Sequence, residues 1–397
     1  MSDVVRVTSA LLVAAVVWVS GFSVAVAQTK GPVEAKLKSV ATLSTPFFDL
    51  VKRNFRAWDL DKNGELDQKE IELAVHNPAV KEDVAAAAAS LRRGSRAVKG
   101  FAPANLEKIA VSLQTKSTEE VEQPKFESMF ESHMEKLPKL QRELFTAGTP
   151  NIDVISQGRL GDCFLIASLG TCAYKDPQRL VSMMKPLENG KVLVTYGSGV
   201  TKELDAPTDG ELLIGATSRG TGAWTVMYEK AIGTVMLANS KTGKHATPLS
   251  LIGVGGTPNV PLQILTGHFV RRHGCEGYRE PKNPDGSSAA DLQPLRDDLK
   301  AAFAEGRLVV GGCGPKGKQA IVSGIYYNHS YGVLDYDEKT DTVLFWNPFG
   351  NTRTPKGPDG LEHGYTTEHG RFRVPLKEAV MWFGSFSIET TEKTDLI

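Results

Sequence analysis

The sequence predicts an α+β chain in which a small helical N-terminal module precedes a larger domain of short strands and buried helices. Two observations carry this. Residues 46–140 place apolar side chains at helical spacing, as in "PFFDLVKRNFRAWD" and "FESMFESHMEKL", with the helix-favouring "KEDVAAAAASLRR" between them. From about residue 145 Gly and Pro become frequent, and the short alternating runs "KVLVTYG", "GRLVVGGC", "HSYGVLDYD" and "TVLFWNP" read as strands. The 397 residues suffice for two or three domains, at roughly 150 residues each. The 46 basic residues balance 46 acidic ones, which leaves no electrostatic footprint for nucleic acid or an anionic membrane.

The N-terminus comes first. Val7–Ala27 is uncharged and mostly apolar, follows Arg6, and ends in Ala25-Val26-Ala27 before Gln28. This reads as a signal peptide over residues 1–27 and predicts export to a periplasmic or extracellular compartment. An apolar run of about 20 residues could also span a bilayer. An uncleaved anchor is therefore the alternative, and the one route to a membrane association; the small-x-small ending favours cleavage. Residues 28–45 are polar and low in aromatics, and read as a flexible leader.

Within the helical module, 46–144, "DLDKNGELDQKE" (residues 59–70) fits the twelve-residue EF-hand loop position by position. Asp59, Asp61 and Asn63 fill positions 1, 3 and 5, and Gly64 is the glycine of the sharp turn. Glu65 offers its backbone carbonyl, Asp67 stands at position 9, and Glu70 is the bidentate carboxylate at 12. A hard cation wants six or seven oxygens, and this set predicts Ca2+. The bland alternative is a solvated acidic turn. Leu66 at position 8 suits pairing with a neighbouring loop, yet no second full loop is present. The site is either solitary or paired with a helix-loop-helix that has lost its ligands.

In "SQGRLGDCFLIASL" (residues 156–169) a turn leads through Asp162, placed to cap a helix, into Cys163 and an apolar helix. A thiol at a helix N-terminus feels the positive end of the dipole, which favours thiolate. Cys172, nine residues on, reads as core. No Cys-x-x-Cys pair suggests zinc, and a disulfide among Cys172, Cys275 and Cys313 stays open.

A nucleophilic thiol needs a base, and the base an orienting group. "NHSYGVLDYDEKTDTVLFWNPFG" reads as a hairpin, with His329 and Asn347 symmetric about residue 338. A three- or five-residue loop there would set them opposite each other on one face. Asn347 could then hold one imidazole nitrogen while the other faces the thiol. The other seven histidines read as surface or satisfied core residues.

These residues resemble the catalytic core of the calpain family of papain-like cysteine proteases. The Gln157–Cys163 segment matches the family's Gln-Gly-x-Leu-Gly-Asp-Cys motif in full. "LDAPTDGELLIG…AWTVMYEKA" resembles the same lobe, while "GRLVVGGCG", "NHSYGVLDYD", "WNPFG" and "GRFRVPLKEAVMWFGSFSIE" resemble the second. The resemblance covers about 145–390 and implies a two-lobed core, with a helical Cys lobe over 145–275 and an antiparallel β His/Asn lobe over 276–397. It implies Cys163 as nucleophile, His329 as general base and acid, Asn347 as orienter and Gln157 as an oxyanion donor beside the Cys163 N–H. The substrates would be proteins or peptides. Phe164 and Phe349 stand where calpains usually carry Trp. "LIGVGGTPNVPLQILTG", at the position of a calcium-binding acidic segment in animal calpains, contains no acid. Calcium-driven assembly of the two lobes is therefore not expected. Two further readings remain from the sequence: a calcium-binding interaction protein on an inactive protease fold, and a Cys-dependent acyltransferase.

Overall fold

The computed structural model describes residues 42–396 apart from 120, 147, 149, 280–282, 286–289, 315–316 and 318–319. The expected signal segment, and the leader up to residue 41, lie outside the described residues. From Leu43 onward the chain folds as one unit. It is α+β, with thirteen α-helices and two antiparallel sheets among the described residues.

The helical module follows its capping and packing signals. α1 (Pro46–Trp58) starts where the Thr45 hydroxyl accepts the Phe48 N–H, with Pro at the first turn. Its Phe47, Phe48, Leu50, Val51, Phe55 and Trp58 are buried. α2 (Gln68–Val75) opens with a capping box between Asp67 and Glu70. α3 (Glu82–Ala97) is the hub: Ala85 to Ala89 are all fully buried. Five successive small side chains let helices approach from several sides, and α1, α2 and α5 (Phe126–Lys136) all pack on it. α4 (Leu106–Gln114) begins at the Asn105 cap. Phe47 stacks on Phe126 at 5.1 Å.

Next come α6 (Cys163–Lys175), α7 (Pro177–Ser182) and a three-stranded meander of β1 (Met184–Pro186), β2 (Lys191–Thr195) and β3 (Thr201–Asp205). α8 (Asp209–Ile214), α9 (Trp224–Ala238), α10 (Pro248–Ile252) and α11 (Asn259–Thr266) complete this half. The second half is a six-stranded sheet in the order β4-β9-β5-β6-β7-β8. Its strands are β4 (His268–Gly274), β5 (Val309–Cys313), β6 (His329–Asp337), β7 (Thr342–Trp346), β8 (Arg371–Pro375) and β9 (Ser385–Lys393). α12 (Gln293–Ala304) packs on it, and α13 (Leu376–Ala379) joins β8 towards β9. Tyr331, Phe345, Phe372, Trp382, Phe383 and Phe386 form its aromatic core.

The boundary expected at residue 275 is displaced. β4 lies before it in sequence but pairs with β9, from Val270 opposite Glu389 to Gly274 opposite Ser385. The break falls at Gly267, which caps α11 in the left-handed conformation (φ 74°) and turns the chain into the sheet. No helix among the described residues is long and apolar enough to cross a membrane.

α6 packs against β5 and β6, and so carries the start of the Cys segment to the edge where the two halves meet. Contact across this seam is close. The Gln157 N–H donates to the Pro348 carbonyl at 2.9 Å, and Arg371 pairs with Asp153 at 2.6 Å.

Candidate active site

Cys163 is the first residue of α6, as expected, and is half-buried. Its Sγ lies 4.0 Å from the Asn328 carbonyl oxygen, and the polar groups of Ser330 favour its charged form. Cys163 and His329 line one cleft of about 960 Å³. Its walls are rich in glycine, with Gly161, Gly253, Gly255 and Gly256 on one side and Gly312 and Gly314 on the other. A wall without side chains exposes peptide N–H and C=O groups, which suits an extended backbone ligand. Among the described residues, the charged side chains lining the cleft are Arg272 and Glu276, which pair at 3.3 Å.

His329 Nε2 lies 2.9 Å from Asn347 Oδ1. The Phe349 N–H, a donor that cannot flip, also points at that oxygen, at 3.1 Å. Asn347 Nδ2 donates to Asn351 Oδ1 at 2.9 Å. The network therefore fixes Asn347 with its oxygen towards the ring, and fixes Nε2 as the protonated nitrogen of the neutral imidazole. Nδ1 keeps its lone pair. Burial pushes the His329 pKa down to about 4, against the opposing bond from Asn347. The Phe349 ring stacks on the imidazole at 4.5 Å.

The contact between His329 and Asn347 arises differently from the sequence expectation. The turn holds four residues, 338–341, because Asp337 pairs with Thr342. Asp337 Oδ1 accepts the Lys339 N–H at 2.9 Å, and Asp341 takes a positive φ of 52°. Leu334 is an extra residue that shifts the register between Val333–Phe345 and Asp335–Leu344. Continuing outward from the Gly332–Trp346 pair, Phe349 rather than Asn347 falls opposite His329. Asn347 reaches the ring from just beyond the end of β7.

Two local expectations are corrected. Asp162 occupies the helix-cap position but makes no side-chain cap bond; its backbone carbonyl accepts the Leu165 and Ile166 N–H groups instead. Its carboxyl is fully buried and coupled to that of Glu229, which is also fully buried and accepts the Ala216 N–H at 2.9 and 3.0 Å. Burial raises both acids, Glu229 more, and two such groups in contact share a proton. The second correction concerns the thiol. Burial pushes the Cys163 pKa up, and the Asp162 charge adds to this against the bonds from Ser330 and Phe164. Burial thus favours the neutral form of both groups, pushing the thiol up and the imidazole down.

Gln157 turns inward. Its Nε2 donates to the Leu160 carbonyl at 2.8 Å and lies 3.4 Å from Asp162 Oδ1, so its donor is aimed at its own loop and not at the cleft. Sequence reasoning missed Ser330 and Glu229. The signal for Glu229 was an acid inside "WTVMYEKAIG", a helix apolar on every face. The four cysteines are free thiols. Burial raises Cys172 and Cys275 to about 12, which leaves them inert as partners for Cys163.

In the helical module, Asp59, Asp61 and Glu70 bring carboxylate oxygens within 4.8 Å of one another. Gly64 makes the turn at φ 83°. Asn63 Oδ1 accepts the Glu65 N–H at 2.8 Å, and Asp67, outside the cluster of three, turns its carboxylate to cap α2 by accepting the Glu70 N–H at 2.7 Å. Leu66 is fully buried and exchanges both backbone bonds with Ala104, at 2.9 and 3.1 Å. Ala104 belongs to the turn between α3 and α4, residues 98–105, which contains no acid. The loop thus pairs with a ligand-less helix-loop-helix, one of the two possibilities left by the sequence.

No model of a known protein family matches the chain, and comparison with curated proteins finds no match.

Proposed function

We propose that the chain is a calpain-like cysteine endopeptidase of papain-like architecture. The observation that carries this reading is the His329–Asn347 pair, held with an unprotonated Nδ1, in one glycine-walled cleft with a helix N-terminal thiol. In this reaction the Sγ–H proton passes to His329 Nδ1 as sulfur attacks the scissile carbonyl carbon. The oxyanion forms at the start of α6, where the first backbone N–H groups of the helix have no partner within it. His329 then gives the proton to the leaving amine as the C–N bond breaks. Water attacks the thioester with His329 again as base, freeing the acid and restoring the thiol. Asn347 fixes the ring equally for peptide hydrolysis and for acyl transfer, so the decisive test is chemical. Under reducing conditions the purified chain is expected to cleave casein and to be labelled by a peptidyl epoxide, with both lost in Cys163→Ala. Intact casein and an unlabelled wild-type thiol would sink the reading.

The acid cluster of Asp59, Asp61 and Glu70, with Asn63 Oδ1 and the Glu65 carbonyl nearby in sequence, fits a hard cation, and we assign it to Ca2+. It lies in the helical module and no residue of the cleft belongs to it, which supports a structural task. Glu70→Gln keeps the shape of the capping box but removes a charged bidentate ligand. Calcium affinity is expected to fall by about two orders of magnitude, read by titration calorimetry. The calcium-induced rise in melting temperature should vanish with it. Unchanged affinity would exclude Glu70 as a ligand.

A further inference from the structure

A second cavity, of about 260 Å³, lies between α3 and the loop that leads to Cys163. Its lining includes Arg92, Arg93, Arg96 and Arg159 with Ile214 and Gly253, and among the described residues no Asp or Glu. Glu72 pairs with two of the four arginines, with Arg92 Nε at 2.7 Å and Arg96 Nη1 at 2.8 Å. Four guanidinium groups thus share the ion-paired carboxylate of Glu72, and the buried Asp162 bears on Arg92 alone; neither acid lines the cavity. Arg93 and Arg159 have no ion-pair partner among the described residues, and the Arg159 charge bears unfavourably on both Arg93 and Lys136. Such crowding of like charge costs stability unless an anion offsets it.

The second observation is Arg92 itself. It is 3% exposed, and its buried Nη2 has no hydrogen-bond partner. That nitrogen points at the Gly253 wall, 3.6 Å from where a Cβ on Gly253 would stand. A buried N–H donor left without an acceptor is uncommon and costly. Planar guanidinium forks match the oxygens of tetrahedral oxyanions, and an excess of positive charge favours a dianion over a single carboxylate.

We propose that this cavity binds a phosphate-class oxyanion, seated by Arg92 Nη2, Arg93 and Arg159. The site would join the calcium-loop module to the Cys segment. Glu72, which holds Arg92, is two residues from Glu70, and Arg159 is four residues before Cys163. The inference is independent of the proteolytic reading, because its readout is binding.

The test uses the full chain in inorganic phosphate, with sodium chloride matched in ionic strength, followed by calorimetry and thermal melting. Phosphate is expected to raise the melting temperature beyond the chloride control. Arg93→Gln and Arg159→Gln should each weaken phosphate binding at least tenfold, whereas Lys52→Gln, on the exposed side of α1, should not. Without phosphate, the two arginine variants should be as stable as the wild type or more so, since each relieves repulsion; a merely structural arginine would lose stability. Phosphoserine in a parallel titration separates a free ion from a phosphomonoester group, and either binding supports the site. The proposal falls if chloride or acetate acts as strongly as phosphate, if both variants bind like the wild type, or if both variants are destabilised in the absence of phosphate.

Discussion

Replacing His329 by alanine is expected to lower kcat/KM for peptide hydrolysis by about 10⁴-fold, at the upper end of what one acid–base group supplies. The size follows from the resting state of the pair. Burial pushes the Cys163 pKa up and so favours the thiol, a poor nucleophile until a base takes its proton. His329 is buried at 6% exposure and neutral, with Nε2–H committed to Asn347. In the proposed reaction its Nδ1 is the acceptor, and the same nitrogen must later protonate the leaving amine. Both steps are lost together, so the fall should appear in kcat with little change in KM. The pH dependence carries the same information. The base works only when unprotonated, and its pKa is pushed down to about 4. Wild-type kcat/KM should therefore rise with pH through about 4 and be flat across neutrality, in contrast to an acid limb near the ordinary histidine value. The residual activity of the alanine variant should lack that limb. A wild-type limb near 6.5 would mean that the ring is more exposed to water in solution than its packing under Phe349 implies.

Much of this site was legible in the sequence, for reasons that differ by residue. Cys163 at the head of a helix and the acid cluster of the 59–70 turn were readable because each is local: a turn, a cap position and a twelve-residue pattern lie within one stretch of chain. His329 and Asn347 were paired correctly by an argument about register that the fold does not obey. Leu334 bulges and the turn holds four residues, so the strands alone would bring Phe349 to the imidazole. Asn347 still arrives because its oxygen is turned back by the Phe349 N–H. A single inserted residue is invisible to a symmetry argument, since alternation on either side of it reads the same. The displaced boundary has a related cause. β4 alternates weakly and joins β9 from more than 100 residues away, which no local pattern encodes. The sign of the Cys163 shift was out of reach for another reason. A helix dipole can be read from a cap, but desolvation depends on what the rest of the chain stacks around the thiol.

Gly170→Ala is expected to destabilise the chain by about 3 kcal/mol or more, the upper range for overpacking a tight core, and to disable the site although Gly170 is remote from the chemistry. A Cβ at this position would stand 2.2 Å from Cζ3 of Trp346 and 2.7 Å from Cε3. Trp346 is 1% exposed at the end of β7, its ring locked between α6 and the sheet, so it cannot swing aside. The strain must instead lift α6 off β6. Cys163 lies seven residues back, two turns along the same face of the helix. A lift of about 1 Å there would shift the sulfur relative to His329 across the cleft and, in the proposed reaction, cost about 100-fold in rate. Denaturant midpoints measure the first effect and epoxide labelling the second. Gly277→Ala, where a Cβ meets nothing within 4 Å, is the matched control and should be close to neutral. Trp346→Leu alone should also destabilise, by opening a cavity. In the double variant the new methyl group occupies part of that space, so the combined loss should be smaller than the two single losses added together. Additive losses would mean that the methyl group and the ring do not compete for the same volume, and the seam between the two halves would then owe its closeness to something other than this glycine.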